Sequence, residues 1–199
     1  MRRTPSVVQR SQNMPASIRQ RARARTNLSA LVRCQAEAAA SFYSITWEPS
    51  HAAPSTFHDL QVCVHRACSN WTAGVPVSDQ FSDHTIFMSP QDNYAMRFWH
   101  DITHVRLDAD FGIEGEASVA EAHLDVLASY GFGPESLEYQ LLKADTLGQL
   151  WYNAATGTFP EDQSAFVHSV VEVGTAAAIE RHRPIRHEHA AAREPGKAG

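Results

Sequence analysis

Apolar residues recur at three- and four-residue spacing along most of the chain, a pattern that predicts helices. The clearest helix start is Ser89-Pro90-Gln91-Asp92, where a capping serine, a proline at the first helical position and an acid in the first turn coincide. This helix should run from Pro90 to about Asp108. The other predicted helices cover residues 27–43 (with a start at 16 left open), 56–71, 116–130, 134–156 and 160–182.

Short connections between these segments predict an all-α, single-domain protein, either a helical bundle or an orthogonal helical array of five to six helices. The expected organisation is an Arg-rich, poorly ordered N-terminal arm over residues 1–26, a helical domain over 27–182 and a disordered C-terminal tail over 183–199. Residues 48–55 and 74–82 should be irregular, and a short extended piece is expected at 85–87.

Charge divides the 199-residue chain unevenly. Residues 1–33 hold eight arginines and no acid, whereas residues 34–180 hold four Lys/Arg against twenty Asp/Glu, a net charge of -16. The predicted domain should therefore attract cations and repel nucleic acid and anionic membranes. Its expected partners are a small-molecule substrate or another protein.

The arginine-rich arm has three interpretations. It is an ordinary extension, an arm that binds the phosphates of nucleic acid, or an organellar transit peptide. No apolar run approaches the roughly 20 residues that a membrane span needs, so no membrane association is expected. An odd number of cysteines (Cys34, Cys63 and Cys68) fits a reducing compartment, and the expected location is the cytoplasm.

The most informative chemistry lies in the helix that starts at Pro90. His100 and His104 are four residues apart, so both imidazoles project from one helix face and can reach one metal ion. On the next helix, Glu116 and His123 are seven residues apart on a similar stripe. A turn containing Gly112 and Gly115 should fold the two helices into a hairpin.

This hairpin predicts a divalent metal site with His100, His104, Glu116 and His123 as ligands. Two or three histidines and one carboxylate suit zinc, iron or manganese. Asp101 or Asp145 would act as the general base, and Glu138 and Gln149 are further polar candidates. The competing interpretation is that His100 and His104 are core histidines satisfied by hydrogen bonds.

Two families share features with these residues. The segment His100-Asp101-Ile102-Thr103-His104 resembles the H-D-I-G-H segment of HD-domain metal-dependent phosphohydrolases, with Thr103 in place of glycine. That resemblance implies an upstream histidine ligand (His65 or His84) and a downstream aspartate ligand (Asp125 or Asp145). Histidines and carboxylates spaced along several helices also resemble ferritin-like di-iron proteins, although their Glu-x-x-His motif is absent.

Two function classes follow. The first is a metal-dependent hydrolase that acts on a small or phosphorylated substrate. The second is a non-enzymatic acidic helical protein that binds or inhibits another protein. The sequence contains no G-x-S-x-G, P-loop or dinucleotide-binding glycine pattern, so it gives no support to those common enzyme templates.

Overall fold

The computed structural model describes residues 17–70 and 73–184. Helices dominate this part of the chain, with 68% of residues helical. The described residues also form a two-stranded parallel sheet, which the prediction of an all-α fold did not include. In chain order, the elements are α1 (Ile18–Tyr43), β1 (Thr46–Ser50), α2 (Phe57–Ser69), β2 (Gly74–Ser78), α3 (Pro90–Leu107), α4 (Ile113–Ser129), α5 (Leu137–Lys143), a π-helical turn (Ala144–Gly148), α6 (Gln149–Thr156), α7 (Gln163–Val173) and α8 (Thr175–His182).

The first helix begins earlier than the predicted domain boundary. Ser17 caps it, because the serine hydroxyl accepts from the backbone N–H of Gln20 and the Gln20 side chain accepts from the N–H of Ser17. The predicted arm over residues 1–26 therefore loses its last ten residues to the cap and first turns of α1. Residues 1–16, and residues 185–199 of the predicted tail, lie outside the described residues.

The early turns of α1 belong to the packed domain. Ala24 is buried, and the guanidinium of Arg25 donates to the backbone carbonyls of Ile86 and Phe87 at 3.0 and 2.6 Å. These two carbonyls lie in the segment that was expected to be extended. The segment is instead a bent loop held against α1, so part of the arginine run has a structural role.

The small sheet corrects the expectation that residues 48–55 and 74–82 are irregular throughout. β1 and β2 pair in parallel, from Thr46 opposite Gly74 to Ser50 opposite Ser78, and α2 connects them. Each strand has five residues and contains a proline. Local sequence carries little strand signal there, and the pairing depends on contacts between residues distant in sequence.

The C-terminal helices also differ from the prediction. The single helix expected over residues 160–182 is divided at Gly174, whose φ of 84° lies in the left-handed region that favours glycine. The helix expected over residues 134–156 runs through the π-helical turn at Ala144–Gly148, and that turn re-aims the side chains within it.

Helix α3 lies at the centre of the domain and contacts α1, α2, α4 and both strands. Phe98 of α3 is buried, and its ring stacks on Trp47 of β1 with centroids 4.6 Å apart. Helix α1 covers another face of α3 with Leu28, Val32 and neighbouring apolar residues. Within the described residues, no helix combines the length and apolarity needed to cross a lipid bilayer.

The start of α3 provides a test of the fold. The hydroxyl of Ser89 accepts from the backbone N–H of Asp92 at 3.2 Å, as the sequence predicts for a capping residue. Ser89→Ala should lower the free energy of unfolding by about 1 kcal/mol, because that N–H loses its partner. Chemical denaturation measures the change. Ser118→Ala, at an exposed position of α4, is the control and should change stability by less than about 0.5 kcal/mol. Equal effects would contradict the cap.

Candidate metal centre

Three side chains converge where α3 meets the start of α4. Nε2 of His100 lies 3.0 Å from Nε2 of His104 and 3.2 Å from Oε2 of Glu116. Nε2 of His104 lies 3.5 Å from Oε1 of Glu116. The side chain of His104 is fully buried, whereas His100 and Glu116 remain 23% and 28% exposed. The cluster therefore has a closed side and an accessible side.

The distances between these donor atoms fit a coordination shell. With metal–ligand bonds of about 2.1 Å, neighbouring ligand atoms are about 3.0 Å apart in an octahedron and about 3.4 Å apart in a tetrahedron. The observed separations of 3.0, 3.2 and 3.5 Å cover this range, and the last two are measured to different oxygens of the Glu116 carboxylate. The cluster of His100, His104 and Glu116 could thus hold a metal ion.

The turn that ends α3 fixes the orientation of His104. Asp108 adopts a left-handed conformation with φ of 51°, which an aspartate tolerates better than most residues. The N–H of Ala109 then donates to the backbone carbonyl of His104, and Nδ1 of the His104 ring lies 3.0 Å from the carbonyl of Ala109. Since a carbonyl only accepts, Nδ1 carries the proton. For the neutral ring, Nε2 is left with a lone pair facing the cluster.

Gly115 allows Glu116 to reach the histidines. A Cβ atom at residue 115 would lie 2.0 Å from the carbonyl oxygen of Asp110, so only glycine permits this close approach between the turn and α4. The Asp110 carboxylate also accepts from the N–H of Gly112 at 2.9 Å. These contacts hold the first turn of α4, and with it Glu116, against the end of α3.

His123 lies beside the cluster and contacts it through His100. Its Nε2 is 3.3 Å from Nδ1 of His100, the ring nitrogen that faces away from Glu116. Its ring lies against Trp99, with centroids 3.9 Å apart. The sequence suggested His123 as a fourth ligand, but the three converging donor atoms belong to His100, His104 and Glu116. The structure therefore places His123 as a support for the His100 ring.

Hydrogen bonds within the cluster favour the charged forms of Glu116 and His104. Burial alone would raise the pKa of Glu116, but hydrogen bonds from His100 and His104 outweigh it and lower the pKa to about 2. Burial alone would lower the pKa of His104, yet hydrogen bonding to Glu116 and Ala109 raises it. Burial holds the pKa of His123 well below its usual range, so His123 is neutral.

The accessible side of the cluster opens into a cavity with a volume of about 480 Å³. This size lies within the range of small-molecule sites. Polar and apolar residues from α3, α4, α6, the π-helical turn and the neighbouring loops line it. They are Ser78, Gln80, Phe81, Asn93, Met96, Arg97, His100, Phe111, Glu116, Asp145, Thr146, Gln149, Leu150, Asn153, Phe159 and Gln163.

The two predicted general bases occupy different positions. Asp145 lies on the π-helical turn and lines the cavity, where its Oδ1 accepts from Nε2 of Gln149 at 2.9 Å. Burial raises the pKa of Asp145 to about 7, although the Gln149 hydrogen bond and the charge of Arg97 oppose that shift. Asp101 is not part of the cavity lining, and burial raises its pKa to about 6. The geometry therefore favours Asp145.

Other sequence candidates lie away from the cluster. Glu138 accepts a hydrogen bond from Asn27 of α1 at 2.7 Å, which is a structural contact between helices. The residues that the HD-domain resemblance implied as additional ligands, apart from Asp145, are exposed and do not converge with the cluster: His65, His84 and Asp125.

Sequence reasoning missed Arg97 and Gln163, which both line the cavity. Arg97 carried a signal, since it is one of only four cations between residues 34 and 180. Gln163 carried none, because it is an ordinary polar residue at the start of a helix that is distant in sequence from the histidines.

Comparison of the chain with protein-family models, curated proteins and solved structures gave no match. The function is therefore inferred from the geometry of the cluster and of the cavity beside it.

The close approach at Gly115 can be tested by mutation. Gly115→Ala should lower the free energy of unfolding by about 3 kcal/mol, near the upper end for overpacking, because the added methyl collides with a backbone carbonyl. Gly133→Ala is the matched control, since a Cβ there would meet nothing within 4 Å. Thermal and chemical denaturation measure both. Similar stability of the two variants would show that α4 does not pack against the turn as described.

Proposed function

We propose that the protein is a metal-dependent enzyme that hydrolyses a small substrate in the cavity beside His100 and Glu116. His100, His104 and Glu116 hold a divalent transition metal, and zinc, iron and manganese all accept this set of two imidazoles and one carboxylate. The observation that carries the proposal is the convergence of these three donor groups at the wall of a 480 Å³ cavity.

Three protein ligands suit catalysis better than a purely structural site. Structural zinc sites are closed by four protein ligands, whereas catalytic sites keep a position open to water or substrate. Here His104 is buried, and the other two ligand residues face the cavity. The remaining coordination positions are accordingly directed toward the space that a substrate would occupy.

The ion would supply a Lewis acid that lowers the pKa of water. Asp145 would supply the proton transfer. In its carboxylate form it accepts the proton that the attacking water loses, and it returns this proton to the leaving group as the scissile bond breaks. A pKa of about 7 suits a group that both accepts and donates near neutral pH.

Exposed acids favour the second candidate function, a non-enzymatic protein that binds a basic partner. Asp108, Asp110, Glu121 and Asp125 are all exposed near the α3–α4 hairpin. Exposure is the usual state of acidic residues, so it distinguishes the two functions poorly. The cavity beside His100, which both polar and apolar residues line, has no role in the binding-protein interpretation and gives the enzyme more support.

Metal binding is the central prediction. The full-length protein, freed of any tag, should bind one equivalent of zinc, manganese or ferrous iron, and the metal should raise its melting temperature because it binds the folded state. His100→Ala, His104→Ala and Glu116→Gln should each abolish stoichiometric binding. Elemental analysis and calorimetry measure the stoichiometry. The pKa of the ligand His104 is raised above its ordinary value of about 6.5, so binding should weaken as the pH falls through this region, because protonated imidazoles cannot act as ligands.

His65→Ala provides the control for that experiment, since His65 is exposed on α2 away from the cluster. It should retain full metal binding. A parent protein that binds none of the three metals and shows no thermal shift would reject the metal site. In that case His100, His104 and Glu116 form a hydrogen-bonded structural cluster.

The role of Asp145 gives a separate prediction. Asp145→Asn keeps the shape of the side chain and an oxygen that can accept from Gln149, but it removes the proton-transferring group. If the metal-loaded protein hydrolyses p-nitrophenyl phosphate, this variant should lower kcat by about 100-fold, the usual contribution of general acid–base catalysis, with unchanged metal content. Asp125→Asn, on an exposed face, should retain activity. Equal kcat values for Asp145→Asn and the parent would exclude the role.

A further inference from the structure

Arg97 presents a fixed positive charge at the cavity. Its Nη1 donates to the carbonyl of Ser78 at 2.9 Å and its Nη2 to the carbonyl of Gln80 at 2.7 Å. A guanidinium has five N–H groups, so three remain for other acceptors. Within the described residues, no carboxylate lies at ion-pair distance from this guanidinium. The side chain is therefore held in place by neutral carbonyls. Asp101, Asp145 and Asp79 interact electrostatically with the guanidinium, but none of them forms a direct ion pair with it.

Gln163 is a second unused polar group at the same cavity. Gln163 is only 7% exposed, and its amide makes no hydrogen bond to another described residue. The amide atoms are not among the fully buried atoms that lack a partner, so they are open to the cavity that Gln163 lines. A molecule bound in the cavity can therefore hydrogen-bond to this amide.

Two aromatic rings extend the same wall toward solvent. Phe81 is 58% exposed and Phe159 is 49% exposed, and both line the cavity. Phe81 also adopts a left-handed backbone conformation, with φ of 53°, that bulky residues rarely take. Half-exposed rings at the rim of a pocket typically pack against the apolar part of a ligand.

We propose that the cavity binds a small organic anion, with Arg97 and Gln163 holding its carboxylate or phosphate group and Phe81 and Phe159 packing against an apolar or aromatic body. This inference rests on the proposed function and names its substrate class. His100 and Glu116 line the same cavity, so a substrate anchored by its anion could present a second group to an ion held by the cluster.

The nearby acid Asp145 does not oppose this assignment. Burial raises its pKa to about 7, which weakens its negative charge near neutral pH, and burial likewise raises the pKa of Asp101 to about 6. Glu116 is already engaged with two histidines. Arg97 therefore remains the available fixed charge for an incoming anion, and an ion in the cluster would add further positive charge.

Calorimetry with matched probes tests the proposal on the full-length protein, both metal-free and zinc-loaded. The probes are phenylacetate and benzylphosphonate, the neutral isostere phenylacetamide, and the ring-free anions acetate and methylphosphonate. Phenylacetate or benzylphosphonate should bind more tightly than phenylacetamide and than its ring-free counterpart. Tighter binding of phenylacetate would indicate a carboxylate substrate, and tighter binding of benzylphosphonate would indicate a phosphate substrate.

Variants assign the binding to residues. Arg97→Met should weaken binding of the preferred aromatic anion about tenfold and leave phenylacetamide unchanged, and Gln163→Leu should weaken anion binding about fivefold. Arg97→Lys preserves the charge and should keep the preference for the anion over phenylacetamide, which separates charge from any loss of loop structure. Arg106→Gln removes an exposed charge from the same helix and is the matched control.

The outcomes separate this inference from the metal site. If zinc binds but the protein does not prefer anions, or if Arg97→Met and Gln163→Leu bind them as the parent does, the substrate class is wrong and the metal site stands. If zinc does not bind but anions bind through Arg97, the anion site stands and the metal-dependent function falls. Phe81→Ala should weaken benzylphosphonate binding and leave methylphosphonate binding unchanged; equal losses would exclude a ring-binding wall.

Discussion

The close approach between the carbonyl of Asp110 and the backbone of Gly115 is the constraint on which the site depends. It allows the first turn of α4 to lie against the end of α3, with no room for a side chain between them. Glu116, the next residue, is then carried to within hydrogen-bond distance of His100. The cluster is consequently a product of the turn as much as of its own three side chains.

The same turn also orients His104. The N–H of Ala109 donates to the backbone carbonyl of His104, and the carbonyl of Ala109 accepts from the His104 ring. His123 supports the ring of His100 in a comparable way, from the next turns of α4. Each histidine of the cluster thus has its outer nitrogen engaged, an arrangement that is typical of metal ligands and that limits the freedom of the inner nitrogen.

Local spacing made half of the site predictable. His100 and His104 share a face because a helix returns to the same side after four residues, and the cap at Ser89 fixed where that helix starts. Glu116 and His123 could be paired with them because a short, glycine-containing turn joins the helices. Spacing could not distinguish a ligand from a neighbouring residue. The sequence therefore grouped His123 with the converging donors, whereas its ring contacts the outer nitrogen of His100.

Local patterns in the sequence predict that the chain is mostly helical, where α3 begins, and which histidines share a face, since these properties depend on residues within a few positions of one another. The other features of the site depend on tertiary contacts. The parallel pairing of β1 with β2 joins segments far apart in the chain, and so does the placement of Arg97 and Gln163 at one cavity. The packing of the helices also decides that Asp145, on the π-helical turn, lines that cavity. Their positions follow from how whole helices pack, and no local pattern encodes that packing.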